Sequence, residues 1–387
     1  MKYQICTRCV MDTTEPEIRF DKNGYCSYCS EALRIMPQRW HRDGKAEFDK
    51  IVERIKKENA DQPFDCLVGI SGGLDSSYVA YLCHQYGLRV LGLHVDGGWD
   101  TEISEGNIKK LVKAYQIHLE TIKIDEAVMM DLQRAYFLSG VYNQDVPQDH
   151  AFFAALFKYA QKNHIKYVFN GTNYASESIL GTSRGFDSKD AVNLIDIHAH
   201  FGKRALTGFP LMKDEKFFYV DLPNQLQLQN ISPLNYFDYN LQNAISTLSK
   251  DCGFVYYGGK HLESVFTRLF QNYIHPIKYH HDKRRDHLSS LIIAGQMTRE
   301  EALKILATPH YASEEEKEAD ISTFISRIGI SREEFDRIIQ QEPVDHRTYK
   351  INSYSKQFYR RKLLKSLPGA TLVLKSEQMK SFLKKWI

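Results

Sequence analysis

The stretch Ser71-Gly72-Gly73-Leu74-Asp75-Ser76-Ser77 restricts what this chain can fold into more than any other. It follows an apolar run, Phe64-Asp65-Cys66-Leu67-Val68-Gly69-Ile70, and leads into a helical pattern carrying Leu74, Val79, Ala80 and Leu82. An apolar run bounded by Gly and followed by helical spacing reads as strand, tight loop, helix. Two adjacent glycines clear side chains from a place where backbone must approach a ligand, and they accept positive φ. The hydroxyls of Ser71, Ser76 and Ser77 add donors, and the helix start adds free N–H groups and a positive dipole end. Together they suit an anion with several oxygens, most simply phosphate or pyrophosphate. A plain strand-to-helix turn uses the same residue types, and the Walker spacing G-x-x-x-x-G-K-[ST] is absent.

Downstream the pattern alternates: strand over 89–95, helix over 103–115, strand over 119–124, helices over 126–138 and 151–162, strand over 166–170. Strands alternating with helices predict parallel βαβ units in an α/β, doubly wound parallel sheet. Ligands of such sheets lie beyond the carboxyl ends of the strands, at a topological switch point. Three strand ends should then share one rim: the 71–77 loop, the turn Asp96-Gly97-Gly98-Trp99, and Asn170-Gly171-Thr172-Asn173. A lone Asp at a strand end usually serves its own turn. Beside a phosphate loop, Asp75 and Asp96 become candidates for Mg²⁺ or nucleotide contacts, since Mg²⁺ favours one or two carboxylates plus phosphate oxygens. Gly171 and Thr172 complete the expected nucleotide rim.

Four of the seven cysteines fall in the first thirty residues as Cys6-Thr7-Arg8-Cys9 and Cys26-Ser27-Tyr28-Cys29. Two C-x-x-C pairs at this separation match a structural four-cysteine zinc site, with Cys6, Cys9, Cys26 and Cys29 as ligands. Disulfides are the alternative, but nothing in the sequence points to an oxidising compartment. The other cysteines, Cys66 in a strand, Cys83 in a helix and Cys252 before a glycine, have no nucleophile context; the first two read as buried and structural.

The charged helical spacing of 41–63 reads as a connecting helix ended by Pro63. From 175 to 233 the alternation weakens, and this long insertion serves equally well as a substrate-binding region or as a cover for the sheet. A second dense patch begins at Tyr256-Tyr257-Gly258-Gly259-Lys260 and runs through Glu263 and Arg268 to Asp282-Lys283-Arg284-Arg285-Asp286. Its cations ordinarily form a solvated face. Near a pyrophosphate site they gain a use, because charge-assisted contacts stabilise a departing anion. Lys260 is the strongest candidate and Arg268 a second, with Asp75, for catalytic roles. Helices follow over 298–306, 313–328 and 331–341, the first and last opened by capping-box patterns. The basic tail reads as packed helix with an exposed face. This gives three regions: a zinc module over 1–40, a phosphate-loop domain over 41–255 with the insertion at about 175–233, and a mainly helical region over 256–387 that is expected to complete the site.

A formal net charge of +3 is too small to imply nucleic-acid binding, and no apolar run is long enough to predict membrane insertion. With no signal-peptide pattern, a cytoplasmic location is expected.

The 71–77 string resembles the S-G-G-x-D-S-S signature of the PP-loop ATP pyrophosphatases, which belong to the HUP-like α/β folds. Taken with Cys9-Val10-Met11-Asp12, the Asp96–Trp99 turn and the block from Lys260 to Ser289, all in this order, the chain resembles the N-acetyl sugar amidotransferases of bacterial surface-polysaccharide biosynthesis. The resemblance implies ATP with Mg²⁺, structural Zn²⁺, and conversion of an acetamido group on a nucleotide-activated sugar to an acetamidino group, in lipopolysaccharide O-antigen or related glycan synthesis. It also implies a separate glutaminase and a cyclase-like, ammonia-conducting subunit as partners. Two other readings stay open at this point. A tRNA sulfur-transfer enzyme also pairs zinc knuckles with a PP-loop, but needs cysteines that only Cys252 weakly offers. A non-enzymatic ATP-binding zinc assembly factor would leave the Lys260 block without a purpose.

Overall fold

The computed structural model describes residues 2–180, 185–260 and 262–366. The 181–184 part of the insertion, His261 and the tail beyond 366 lie outside the described residues.

Near the amino end, short antiparallel bridges, Ile5 to Asp12 and Phe20 to Cys26, fold the cysteine segment into two knuckles. Helix α1 (Ser27–Arg39) leaves the second knuckle, and the Cys26 sulfur accepts the Cys29 N–H at its start. Helix α2 (Lys45–Glu58) then turns Phe48, Val52 and Ile55 inward. The alternating region follows: β1 (Cys66–Gly69), α3 (Leu74–Gln85), β2 (Val90–Asp96), α4 (Glu102–Tyr115), β3 (His118–Lys123), α5 (Glu126–Ser139), α6 (Val146–Lys162) and β4 (Tyr167–Phe169).

The insertion holds α7 (Tyr174–Glu177), α8 (Ala191–Phe201), α9 (Leu222–Gln225) and a strand absent from the sequence reading, β5 (Gln229–Ile231). At three residues, with Ile231 alone buried, β5 has neither the length nor the alternation that marks a strand. It pairs in parallel with β4, Tyr167 opposite Gln229, and gives the sheet order β3-β2-β1-β4-β5. All ladders are parallel. The order reverses between β1 and β4, so the switch point lies at the loop that begins with Ser71.

Side chains alternate across the sheet, as a period of two requires. Leu67, Leu91, Leu93 and Val168 face one core with α5 and α6; Cys66, Val68, Val90, Tyr167 and Phe169 face the other with α2, α3 and α4. Cys66 and Cys83 are buried here, as expected.

The rest is helical: α10 (Leu241–Cys252), α11 (Val265–Leu269), α12 (His275–Lys278), α13 (Arg284–Ile293), α14 (Arg299–Leu306), α15 (Glu314–Ile328), α16 (Arg332–Ile339) and α17 (Ser353–Ser366). A π-helical turn at Phe270–Ile274 joins α11 to α12. Thr298 and Glu301 form the full reciprocal capping box at α14. Phe266, Phe270, Phe324 and Phe335 join the same core as Leu91, Leu93 and Met129. Helices α11, α15 and α16 therefore share the hydrophobic interior of the sheet, whereas Leu288 of α13 and Ala302 of α14 form a separate small cluster with Val10 of the cysteine segment. Among the described residues no helix is long and apolar enough to cross a membrane.

Candidate active site and cysteine centre

The 71–77 loop sits where its pattern placed it, between β1 and α3. Gly72 has φ +74°, and a Cβ there would lie 2.4 Å from the Ser104 carbonyl oxygen of α4. Only glycine meets both demands. Gly73 is walled by Glu263, whose Oε1 would be 2.6 Å from an added Cβ. The serines divide. Ser77 is fully buried and donates to the Gly73 carbonyl at 2.6 Å, holding the first turn of α3. The Ser71 and Ser76 hydroxyls lie 3.1 Å apart on the open side, and the Gly73 N–H donates to Ser71 Oγ at 3.2 Å. Ser71 and Ser76 are thus the two hydroxyls positioned for a ligand.

Asp75, in the first turn of α3, has both oxygens engaged. Tyr239 donates to Oδ1 at 2.6 Å and the Lys260 ammonium to Oδ2 at 3.1 Å. Lys260 also reaches Ser176 Oγ at 2.8 Å and Glu177 Oε1 at 2.7 Å. Burial disfavours its charge, but Asp75 and Glu177 outweigh that and hold its pKa above the usual lysine value. One cation therefore joins the starts of α3 and α7, the helices that follow β1 and β4 across the switch point.

Gly171 lets these two starts meet: an added Cβ would be 2.9 Å from Asp75 Cβ and 3.2 Å from the Ser76 nitrogen. The exposed Thr172 donates its N–H to Asn170 Oδ1 at 3.1 Å. Asp96 takes the ordinary role of a strand-end acid. Its Oδ1 accepts the Gly98 N–H at 2.8 Å, at a glycine with φ +83°, so it caps its own turn.

The same turn receives the carboxyl-terminal block. Asp100 and Ser264 form an antiparallel bridge, Thr101 N–H donates to the Glu263 carbonyl at 3.0 Å, and Val265 N–H to the Trp99 carbonyl at 2.8 Å. This stitch sets Glu263 against Gly73. Tyr257 closes the other side by accepting the Leu74 N–H at 3.0 Å. Burial first, then Asp75 for Tyr239 and Glu263 for Tyr257, keeps both phenols far above their usual pKa, so each stays a neutral hydroxyl.

Arg268 is not brought to the loop. Its guanidinium forms a two-pronged pair with Asp320 of α15, at 2.7 Å on each side, and a further contact with Glu316 at 3.5 Å. Arg284 and Arg285 are likewise committed elsewhere, Arg284 to Asp282 and Arg285 to Asp12 at 3.0 Å. Of the cations read in this block, Lys260 alone contacts Asp75.

Sequence reasoning did not find Ser176, Glu177, Tyr239 or Asn107. Asn107 had a signal: it is a fully buried polar residue on the apolar face of α4. Its amide reaches the Gly72 carbonyl at 3.3 Å and the Val255 carbonyl at 2.9 Å, tying the loop to the chain that leads to Lys260. Also missed are Asp145, which accepts from Thr267 at 3.2 Å, and Asp149, which accepts from Ser188 at 3.0 Å. Surrounding protein, then Asp149, pushes the Asp145 carboxyl up to about 7.

The four cysteine sulfurs are buried and lie within 4.8 Å of one another. Cys6 to Cys29 is 3.7 Å and Cys9 to Cys26 is 3.6 Å. Ligands about 2.3 Å from a tetrahedral zinc ion stand about 3.8 Å apart, whereas a disulfide needs about 2.05 Å. N–H groups of Arg8, Cys9 and Cys26 point at Cys6 Sγ, 3.2–3.4 Å away, which suits thiolates. The donor set fits structural zinc and leaves no place among the sulfurs for a substrate ligand. The first knuckle rests on α13 and α14: Arg299 donates to the Cys6 and Cys9 carbonyls at 3.1 Å each, and Val10 N–H donates to Ser289 Oγ at 3.2 Å.

Residues 47–195 match the family model described as NAD synthase, and residues 263–363 match the one described as LPS biosynthesis protein WbpG-like, C-terminal domain. Among solved structures, NMN synthetase from Francisella tularensis is 15% identical, covering 75% of this chain and 94% of that one, with a TM-score of 0.30. An NH3-dependent NAD synthetase from Campylobacter jejuni subsp. jejuni NCTC 11168, in complex with the nitrate ion, is 16% identical, covering 70% and 100%, also with a TM-score of 0.30. No curated protein matches. The NAD synthase match makes the first of these regions an ATP-using PP-loop core, which implies ATP and Mg²⁺, and the WbpG-like match sets that core in surface-glycan biosynthesis. With both regions in one chain, the two matches support an N-acetyl sugar amidotransferase of the PP-loop superfamily.

Proposed function

We propose that this chain adenylates the acetamido group of a nucleotide-activated N-acetyl sugar and replaces its oxygen with ammonia, giving an acetamidino sugar, AMP and pyrophosphate. The observation that carries this reading is the convergence of Ser71, Ser76, Asp75, Glu177 and Lys260 at the switch point, with the WbpG-like region closing the site through Glu263. An amide carbon is a poor electrophile and its oxygen a poor leaving group. Attack of that oxygen on the α-phosphorus of ATP breaks the bond to pyrophosphate and gives an O-adenylated imidate. Ammonia adds to the imidate carbon, a proton is lost, and AMP leaves with the former acetamido oxygen.

The chain's residues act mainly on the departing anion. Ser71 and Ser76 donate to its oxygens at the dipole end of α3, and Lys260 supports its growing charge from the β4 side. Asp75 and Glu177 are the carboxylate pair that would hold a magnesium ion brought in with ATP, and the ion would add to the neutralisation of the departing charge. As the phosphates enter, Lys260 shifts from Asp75 toward them. The 71–77 loop thus holds the leaving pyrophosphate, and the α-phosphate is the reacting centre. No side-chain nucleophile is needed. The half-buried Cys252, bonded to the Leu248 carbonyl in α10, has no part in the reaction.

Ammonia comes from a separate glutaminase through a cyclase-like subunit, and part of the insertion over 175–233 contributes to the sugar pocket. The test is pyrophosphate release from ATP with a panel of nucleotide-linked N-acetyl sugars and ammonium, set against tRNA. Release is expected with a sugar and ammonium, and not with glutamine as the sole nitrogen source. Stimulation by tRNA alone, or by no substrate, overturns the proposal.

A further inference from the structure

Lys260 is held by Ser176 and Glu177, and α7, which carries both, is a single four-residue turn. So short a helix does not fix its own position. Two residues beyond Glu177 stands Ile179, 1% exposed, and its side chain packs in the same cluster as Cys6, Cys9, Cys26 and Cys29, with Met11, Ile18 and Ala32. Its N–H donates to Ser290 Oγ at 2.9 Å, and the Ser290 hydroxyl donates to the Asp286 carbonyl at 2.9 Å. Ser290 is fully buried on α13 beside Ser289, which is also fully buried and accepts the Val10 N–H of the first knuckle. Adjacent serines on one helix thus grip the cysteine knuckle and the chain carrying the lysine's partners.

We infer that Ile179 and Ser290 are positioning residues that make the placement of Lys260 depend on the folded, metal-filled cysteine centre. The physical basis is the cluster itself. Ile179 has a site to fill only while the two knuckles are folded against each other, and small cysteine modules owe that folding to their metal. When the knuckles loosen, Ile179 loses the apolar partners they supply and keeps only the Ser290 bond and Ile293 of α13, so Glu177 and Ser176 fix the ammonium less firmly. The chemical purpose given to Lys260 rests on the proposed reaction; the dependence of its placement on the cysteine centre does not.

The experiment uses the full chain and reads two things besides turnover: amine labelling of Lys260 by mass spectrometry, and affinity for a non-hydrolysable ATP analogue. Lys260 is 15% exposed and Lys109, 79% exposed, is the internal reference. Ile179→Ala and Ser290→Ala should keep their full metal content, while Lys260 labelling rises several-fold and analogue affinity falls roughly tenfold, a difference of about 1.4 kcal/mol. Ile179→Val should restore both. Chelation of the parent protein should give the same rise with helix content largely kept. Lys260 equally protected in the parent, the chelated protein and Ile179→Ala overturns the inference, as does an Ile179→Val variant no better than Ile179→Ala. If no sugar supports turnover while labelling still follows the metal, the reaction assignment fails and the coupling stands.

Discussion

The 71–77 loop and the block from Lys260 to Arg285 are both dense in chemistry, yet the structure treats them oppositely. The loop works through its backbone: Gly72 at positive φ, Gly73 against Glu263, and N–H groups at a helix start. Residue types and spacing show the glycines and the strand–loop–helix path, while the walls at Ser104 and Glu263 come from distant segments. The block works through side-chain charges, and a charge acquires a role only from what faces it. Lys260 faces Asp75 and Glu177, Arg268 faces Asp320, and Arg285 faces Asp12. One supports the site; the others tie helices and the cysteine module together. Closely spaced cations in a sequence need not share a task.

Substitutions can break that contrast. The largest effect is expected from Gly72→Val, which forces a branched side chain into positive φ and against the Ser104 carbonyl. Pyrophosphate release should fall roughly 10²–10³-fold, as for a displaced set of anion donors. Lys260→Ala should lower kcat by roughly 10²-fold, with Lys260→Arg a poor replacement, because a guanidinium does not fit where an ammonium meets three partners. A near-normal kcat in Lys260→Ala would remove the distinction between Lys260 and its neighbours.

Arg268→Ala should act on stability instead. It leaves Asp320, 3% exposed, without its main partner, at a cost of about 3 kcal/mol in denaturant unfolding, while kcat of the folded protein stays close to the parent's. A selective loss of kcat with unchanged stability would place Arg268 in the reaction after all.

The smallest effect sharpens the contrast by asking whether histidines divide the same way. His150 is fully buried, accepts the Met212 N–H on Nε2 and donates from Nδ1 to the Ser188 carbonyl; burial holds its pKa down to about 4. Its neutral form belongs to the folded state. Between the unfolded value near 6.5 and the folded value, the unfolded chain binds the extra proton, so this stability is complete above pH 6.5 and is lost as pH falls toward 4. Between pH 6.5 and 5 the loss from His150 should be about 1.5 kcal/mol, and His150→Gln should unfold with correspondingly less pH dependence.

What could be read in the chain follows the same line. The parallel sheet, the strand–loop–helix path of 71–77 and the clustering of the four cysteines rest on periodicity, glycines and spacing, and the structure returns them with small shifts in their ends. Strand β5 was illegible because Gln229, Asn230 and Ile231 have no alternation to show; β4 makes them a strand. Glu177 and Tyr239 were illegible because each reaches Asp75 or Lys260 from a segment with no motif of its own. The pairing of Arg268 with Asp320 was hidden for the converse reason. The arginine's motif was visible and its partner, on α15, was not.

The bonds that complete the loop span 183 residues from Leu74 to Tyr257 and 185 from Asp75 to Lys260. On a ribosome adding about 5–20 residues per second, the loop emerges on the order of ten to forty seconds before its closing partners. During that interval the remaining strands of the sheet and then Tyr239, which holds one oxygen of Asp75, are made, while Lys260 and Glu263 are still to come. Both closing bonds, Leu74 to Tyr257 and Asp75 to Lys260, therefore form only after the last strand of the sheet, which ends at Ile231, has been made.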